Sequence, residues 1–570
     1  MTEILAIVIM FVLIVVIGYF LGKHVANVYG EGKSALGFLA PLENFLFRIA
    51  GIDAKREMTW KENIYALLAI NMIWFFWGMG VLLTQDFHPF WNPDGIASMS
   101  PHLAFSTAIS FMVNCDLQHY YGESGVSYLS QIVVMNFFMF TSAATGMAAF
   151  AILINGLRNR TTDRLGNFFG YFVKSITRIL LPLSTVVAVI LVVNGTPATF
   201  EGKETVYTLE GDTLPVFRGP AAPMIAIKHL GTNGGGFFAA NSAHPLENPN
   251  FLTNVVENTA QMIIPIALVF ALGFYLDRRR LAWTVFGVMT VGFLMLVIPT
   301  IMLESGGNPA IAKLGIDQSL GSAEGKEVRF GAVASGFWAI STTVISTGSV
   351  NNMHDSLTPL SGLLTLLAMM INGFYGGVGV GFENFFIYLV IAVFISGLMV
   401  GRTPEMLGKK IESREVKIAI LVAFLSPFLI LAGTAMTAWF AANNAALVGY
   451  GGTEAWLYNP SYHGFSDALY EFTSANANNG SGFESLGDNT PWWNIATGVV
   501  MILGRFLPLI GPVAIAGLMA RKKYIPESAG TLQIDTLTFG VMIFAVIFII
   551  NALSFFPALA LGPLAEYFSL

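Results

Sequence analysis

Ten apolar runs, most of them about 20 residues long, constrain this 570-residue chain more than any other feature. A run of that length crosses a hydrocarbon core of about 30 Å as a helix, which satisfies its own backbone N–H and C=O groups. The runs lie at 3–22, 63–84, 126–154, 172–194, 254–276, 281–303, 384–401, 416–440, 492–519 and 538–560. Only 11% of the residues are charged, against about 25% in a soluble domain. The expected fold class is an all-α polytopic membrane protein, with the lipid bilayer as its surroundings and no nucleic acid as a partner. The first run follows Glu3 and precedes Lys23, which is not the pattern of a cleaved signal peptide. It reads as a retained span. A single cysteine, Cys115, excludes an internal disulfide and any multi-cysteine metal site.

The positions of the basic residues test the span count. They cluster in 23–61, 158–178, 278–280, 402–417 and 521–523, which together hold 22 of the 29. The intervening loops hold six, and Arg505 lies within a span. Basic loops thus follow every second crossing. Ten spans with both termini outside fit this alternation.

Four loops on the basic-poor side carry an apolar stretch too short to span: 101–113, 221–231, 333–345 and 465–475. Ser100 before Pro101 forms a good N-cap and first-turn pair, and Ser466 is placed as a cap for the last stretch. These read as re-entrant half-helices. Each runs into a polar turn: VNCDLQ (113–118), TNGGGF (232–237), STGSVN (346–351) and SANANNGSGF (474–483). The order span, half-helix, turn, span occurs four times, which predicts quasi-fourfold copies about one axis. The expected divisions are an N-terminal span and cytoplasmic loop (1–62), repeats at 63–155, 172–276, 281–401 and 416–519, and a C-terminal span (520–570). In the third repeat, apolar 358–371 is followed by NGFYGGVGVG (372–381). Gly376, Gly377 and Gly379 there would interrupt a helix. An extra short span would spoil the charge alternation, so a helix broken inside the membrane is the reading preferred.

The glycine-rich turns suit a cation filter. A cation entering a narrow pore needs oxygens to replace its water, and backbone carbonyls supply them. Aiming successive carbonyls at one axis needs backbone angles that glycine accepts at little cost. Half-helix C-termini facing the turns would add the negative ends of their dipoles. The candidate filter residues are Asn114, Cys115, Asp116 and Gln118; Thr232, Asn233, Gly234, Gly235 and Gly236; Ser346, Thr347, Gly348 and Asn351; and Asn476, Asn478, Asn479 and Gly480. One such turn outside a membrane would be an ordinary loop; four, each behind a sub-spanning stretch, reverse that reading. Cys115 alone reads as a packing residue. Asp116 reads equally as a solvated mouth charge or as a direct attraction for cations. His119, His244 and His354 flank three turns without metal-like spacing and read as hydrogen-bonding residues.

Arg505 lies 16 residues before Arg521 in one span, so it is far from the basic end and a functional role is its default reading. Pairing with an outer-loop carboxylate is the alternative. Arg402 sits at the inner rim, where ordinary positive-inside charge also accounts for it. EGKS (31–34) lacks the glycine a phosphate-binding loop needs, since Asn27 holds that position. No aspartyl-phosphate signature is present, so no ATP is expected on this chain. A membrane-embedded enzyme would want a buried acid–base or metal constellation, and the spacing of histidines and carboxylates offers none.

GTNGGGFFAANSAHPLENPN (231–250), NNMHDS (351–356), GRTPEMLGKKIE (401–412) and TSANANNGSGF (473–483) resemble the family of potassium-binding subunits of the Kdp potassium-transporting ATPase, within the superfamily of potassium transporters. The resemblance runs nearly end to end. It implies four fused helix–pore helix–filter–helix units that bind external potassium, in a bacterial inner-membrane complex. It implies three partners: a P-type ATPase catalytic subunit, a single-span subunit with a soluble domain, and a small membrane peptide. It implies a non-catalytic role for this chain, with ions passing sideways into the ATPase subunit. The broken helix and Arg402 would obstruct straight passage. Gln118 matches a filter glutamine, and Gly234 a filter glycine. The first turn departs from the family's usual Thr-Asn-Thr-Asn-Trp-Gln, and the fourth from its Ala-Asn-Asn-Asn-Gly. An autonomous potassium channel or ion-gradient-coupled transporter of the same superfamily is the alternative reading.

Overall fold

The computed structural model describes residues 2–30, 36–401, 403–447, 455–459, 461–526 and 532–570. The EGKS stretch and Arg402 lie outside the described residues. Within them, ten helices are long and apolar enough to cross a membrane. Four shorter helices stand at the places where half-helices are expected. In chain order the principal elements are α1 (Thr2–Tyr29), α2 (Trp60–Leu83), the half-helix α3 (Pro101–Met112), α4 (Tyr128–Arg158), α5 (Phe168–Val193), the half-helix α6 (Ala221–Leu230), α7 (Phe251–Tyr275) and α8 (Arg279–Gly306). The half-helix α9 (Gly331–Ile345), α10 (Pro359–Ile371), α11 (Val380–Val400), α12 (Ser413–Asn443), the half-helix α13 (Ser461–Ala477), α14 (Pro491–Ala520) and α15 (Leu537–Ser569) follow. Among the described residues the strands form two small antiparallel hairpins, Glu204–Tyr207 with Thr213–Val216, and Glu405–Met406 with Lys409–Lys410.

Each half-helix packs against the helices that flank it in its own repeat and against a helix of a neighbour. The half-helix α3 lies on α2, α4 and the fourth repeat's α14. The half-helix α9 touches α7, and α13 touches α10. These contacts close a ring in which the fourth repeat meets the first. The centre of the ring is the driest part of the molecule: almost all of α4 and α7 is buried, whereas α2 and α12 expose most of their length. An all-round apolar helix is stable in lipid, so exposure of residues such as Phe76 and Leu421 is what a membrane surface requires.

The first helix is an addition outside the ring. Gly18 and Gly22 of α1 press on α7, where a Cβ at Gly22 would lie 2.6 Å from the Ala267 carbonyl. Two small residues four apart allow this close approach. On the face bearing the short hairpin of Glu405–Lys410, buried Lys409 donates to the carbonyls of Gly156, Leu157 and Asn159 at the end of α4. Burial, with the charge of Arg160 added, pushes its ammonium down to about 8.

Two sequence expectations need correction. Ser466 is not a cap: α13 begins at Ser461, and the Ser466 hydroxyl donates to the carbonyl of Tyr462 one turn back. The same helix continues to Ala477, so Asn476 belongs to its last turn and not to the polar turn beyond. Ser100 does hold the N-cap position of α3, but its side chain makes no capping bond. The third repeat contains the expected interruption. The 13-residue helix α10 ends at Asn372 with φ +42, and α11 starts only after Gly379 with φ +86.

Candidate ion filter

The four turns share one backbone conformation. In each, two residues of positive φ flank one ordinary residue: Asn114 (+64) and Asp116 (+55), Thr232 (+50) and Gly234 (+97), Ser346 (+54) and Gly348 (+87), Asn478 (+51) and Gly480 (+99). The middle residue donates its N–H to the carbonyl five residues back in every copy. These bonds are Cys115 to Ser110 at 3.0 Å, Asn233 to Lys228 at 2.8 Å, Thr347 to Thr342 at 2.9 Å and Asn479 to Ser474 at 2.9 Å. That bond, with a left-handed residue before it, is the Schellman closure of a helix C-terminus. The chemistry of the turns therefore begins with how a half-helix ends. Once the last helical carbonyls are closed off, the chain reverses at the end where the helix dipole is negative.

The turns abut around one axis. A Cβ on Gly234 would stand 1.9 Å from the Thr347 carbonyl oxygen, one on Gly348 2.0 Å from that of Asn479, and one on Gly480 2.0 Å from that of Cys115. Each glycine of one turn thus faces the middle carbonyl of the next, from the second turn to the third, fourth and first. The first turn has Asp116 at the glycine position, and its side chain lies against Gly235.

Side chains fix the turns to one another. Asn114 Nδ2 donates to the Thr232 carbonyl at 2.7 Å, and Asn233 Nδ2 donates to Asn114 Oδ1 at 3.0 Å and to Ser142 Oγ at 3.1 Å. Gln118 reads the backbone of Gly236 twice, accepting from its N–H at 2.8 Å and donating to its carbonyl at 3.1 Å. Asn479 Nδ2 donates to the Thr342 carbonyl at 2.8 Å. Asn241 Nδ2 donates to the Gly234 carbonyl at 2.7 Å, while its Oδ1 accepts from the wholly buried Lys228 at 2.6 Å. Lys228 in turn pairs with buried Glu247. Asn351 stands behind its turn, bonded to Asn254 at 3.0 Å. Asn476 presses its carbonyl on Gly504, away from the ring.

Both readings of Asp116 now have geometry. Only 1% of it is exposed, so it is not a solvated mouth charge, and neither carboxylate oxygen has a hydrogen-bond partner. Cys115 is wholly buried and serves the ring through its carbonyl. The histidines beside the turns hydrogen-bond as expected. His119 meets Glu471 at 3.0 Å and Asn494 at 2.9 Å, and His354 meets the Tyr470 hydroxyl at 2.7 Å. His244 accepts from the Leu246 N–H and stacks on Phe238. Burial alone would lower the His119 pKa, but the charge of Asp488 and the bonded Glu471 carboxylate raise it to about 9. His463 with Asp355 and Asp467 forms a compact group that spacing alone did not predict.

The interruption in the third repeat lies at the inner ends of the turns. The Val378 N–H donates to Thr232 Oγ1 at 2.9 Å. Asn372 accepts from Ser346 at 2.9 Å and donates to the Ala477 carbonyl at 3.2 Å. Gly379 and Gly146 cross so closely that a Cβ on Gly379 would stand 2.1 Å from the Gly146 carbonyl. Gly376 takes φ +64, and Gly377 faces Thr232 with room to spare. Arg505 reaches the same level. It is 3% exposed, donates to the Ser142 carbonyl at 3.0 Å, and lies within range of the charges on Glu383 and Asp116. Its nearby carboxylates are thus on α11 and in the ring, not on an outer loop. Both oxygens of Glu383 lack a hydrogen-bond partner.

Sequence reasoning missed Asn241, Ser142, His229 and Ser349. His229 Nε2 is 2.9 Å from Ser349 Oγ, tying the second half-helix to the third turn. The available signal was weak: single polar residues inside apolar helices, or polar residues just past a turn.

A family model described as "Potassium-transporting ATPase A subunit" matches residues 8–568. The chain is similar to the potassium-transporting ATPase potassium-binding subunit of Flavobacterium psychrophilum, 62% identical over 573 residues and covering 100% of both chains. It is 55% identical to the subunit of that name in Parabacteroides distasonis, again over 100% of both. Among solved structures it resembles the potassium transporter TrkH from Vibrio parahaemolyticus, with a TM-score of 0.52 at 12% identity, over 88% of this chain and 96% of that one. At that identity the likeness speaks for the fold alone.

Proposed function

The chain belongs to the family of potassium-transporting ATPase A subunits, and from that membership we propose that it binds external potassium in the four-turn ring and passes it into an ATP-driven uptake pump. The observation that carries this reading is the ring itself. Four closed half-helix C-termini present abutting carbonyls, with buried Asp116 at the glycine position of the first turn. Potassium is the substrate. Carbonyls of Cys115, Thr347 and Asn479, with the second turn completing the circle, replace its water. The dipoles of α3, α6, α9 and α13 favour it there. Repeats at 63–155, 172–276, 281–401 and 416–519 supply one turn each.

The ATPase site lies on a partner subunit, with a single-span subunit and a small membrane peptide completing a complex of the bacterial inner membrane, and both termini of this chain outside. The loop 372–379 closes the inner end of the ring, and Arg505 places a cation there. The loop and the arginine stand in the way of straight passage, which supports a lateral exit and opposes an autonomous channel.

The test is to purify the tagged chain from its own membrane in mild detergent and assay ATP hydrolysis with potassium, then with sodium. Potassium-stimulated hydrolysis by a co-purifying subunit, with its potassium dependence shifted by Gly234→Asp, is the expected result. A chain that purifies alone and carries potassium flux in liposomes without ATP would overturn it.

A further inference from the structure

At the end of α13 away from the filter turn, His463 and Asp467 sit one helical turn apart on one face. Asp355, from the loop after the third turn, brings Oδ1 to 2.7 Å from His463 Nε2. One donor atom from each of Asp355, His463 and Asp467 lies within 4.8 Å of the others. Across the imidazole ring, Nδ1 is 2.9 Å from Glu566 Oε1, near the end of α15. Asp467 is wholly buried, yet neither carboxylate oxygen has a hydrogen-bond partner. Its nearest cationic neighbour is the His463 ring at 3.6 Å. A buried carboxylate left this way is matched either by a cation or by a proton.

We propose that Asp355, His463 and Asp467 bind one divalent metal ion of the zinc class. Imidazole nitrogen with carboxylate oxygen is a donor set that suits zinc. Three protein ligands leave a fourth position for water. The contact to Glu566 is the usual outer partner of a metal-bound histidine: it holds the proton on Nδ1 and leaves Nε2 for the metal. His463, Asp355 and Glu566 are 23%, 12% and 19% exposed, so the group opens to the surface while Asp467 forms its floor. The ion joins two segments far apart in sequence, and Glu566 ties in a third through the imidazole. It also sits behind the filter: Phe483 stacks on both His463 and Tyr470, and the Tyr470 hydroxyl is 2.9 Å from Ser481, whose N–H donates to Asn479. The metal braces the fourth turn from outside the ring and takes no part in carrying potassium.

The test uses the full-length chain in detergent, stripped with a chelator and titrated with zinc alone, with bound metal counted by mass spectrometry. About one zinc per chain is expected, lost in Asp467→Asn and in His463→Gln. Glu566→Gln keeps all three ligands and should weaken zinc roughly 10- to 100-fold. Should Asp467→Asn fail to elute as a single species, Asp355→Asn on the loop takes its place. Failure of the wild-type chain to take up zinc would mean that an imidazolium between Asp355 and Glu566 fills the site, and would overturn the proposal. Zinc uptake unchanged in the ligand variants would place the ion elsewhere and overturn it equally.

Discussion

Replacing Gly480 by alanine should weaken potassium binding by more than an order of magnitude. The residue has φ +99, outside the region where a side chain is comfortable. A left-handed conformation alone costs an L-residue about 1–2 kcal/mol. The added Cβ would also stand 2.0 Å from the Cys115 carbonyl oxygen, where real contacts stop at 3.0 Å, so that oxygen must retreat by about 1 Å. The atom displaced is one of the oxygens proposed to replace water around the ion. If roughly 2 kcal/mol of this is relieved by opening the ring, affinity falls about 30-fold. Gly348→Ala and Gly234→Ala meet Asn479 and Thr347 in the same way and should behave alike. Gly362→Ala in α10 is the control, since its nearest neighbour is Phe483 at 3.8 Å. The assay is potassium binding to the purified chain by titration calorimetry, with sodium as competitor. Unchanged affinity in all three filter variants, with all of them folded, would refute the ring as the binding site.

Thr232→Val removes the acceptor for the Val378 N–H beneath the ring, and a buried donor left unpaired costs about 1–3 kcal/mol. The loop should loosen, and potassium leak through the chain in liposomes should rise; an unaltered leak would mean the loop does not close the path. Lys228→Met strands the buried carboxylate of Glu247 and should destabilise the fold by about 3–5 kcal/mol. Lys228→Met combined with Glu247→Gln should recover most of that loss in thermal melts. The His119 pKa is raised from 6.5 to about 9, so the stability it contributes is fully present below pH 6.5 and is lost as pH rises through about 9. The melting-temperature gap between the wild type and His119→Gln should close across that window; a constant gap would show that the ring is not charged.

Periodicity and charge made the scaffold legible. Every long apolar run became a long helix, because in lipid a helix is the one local solution for such a run. The glycines at the third position of turns two to four stand where one turn abuts the next. Asn114, Thr232, Ser346 and Asn478 did not announce their left-handed angles. Those angles follow from helix closure, which depends on a bond to a carbonyl five residues back and not on residue type. Asn476 was misplaced because an asparagine-rich run reads as a turn throughout, while α13 continues into it on tertiary packing. The group of Asp355, His463, Asp467 and Glu566 was invisible for a simpler reason. Its members come from three segments that meet only in the folded ring.

Asp116 gives the four-turn ring a property that a ring of four identical chains cannot have. In a homotetramer a mutation at the glycine position would arise in every quadrant at once, and four carboxylates would face one narrow passage. With the quadrants joined in a single polypeptide, one carboxylate can be tried in one quarter while the other three keep their glycines. Joining the quadrants in one chain thus converts an all-or-none change into a graded one, so the ion preference proposed for the ring can change in steps of a single substituent.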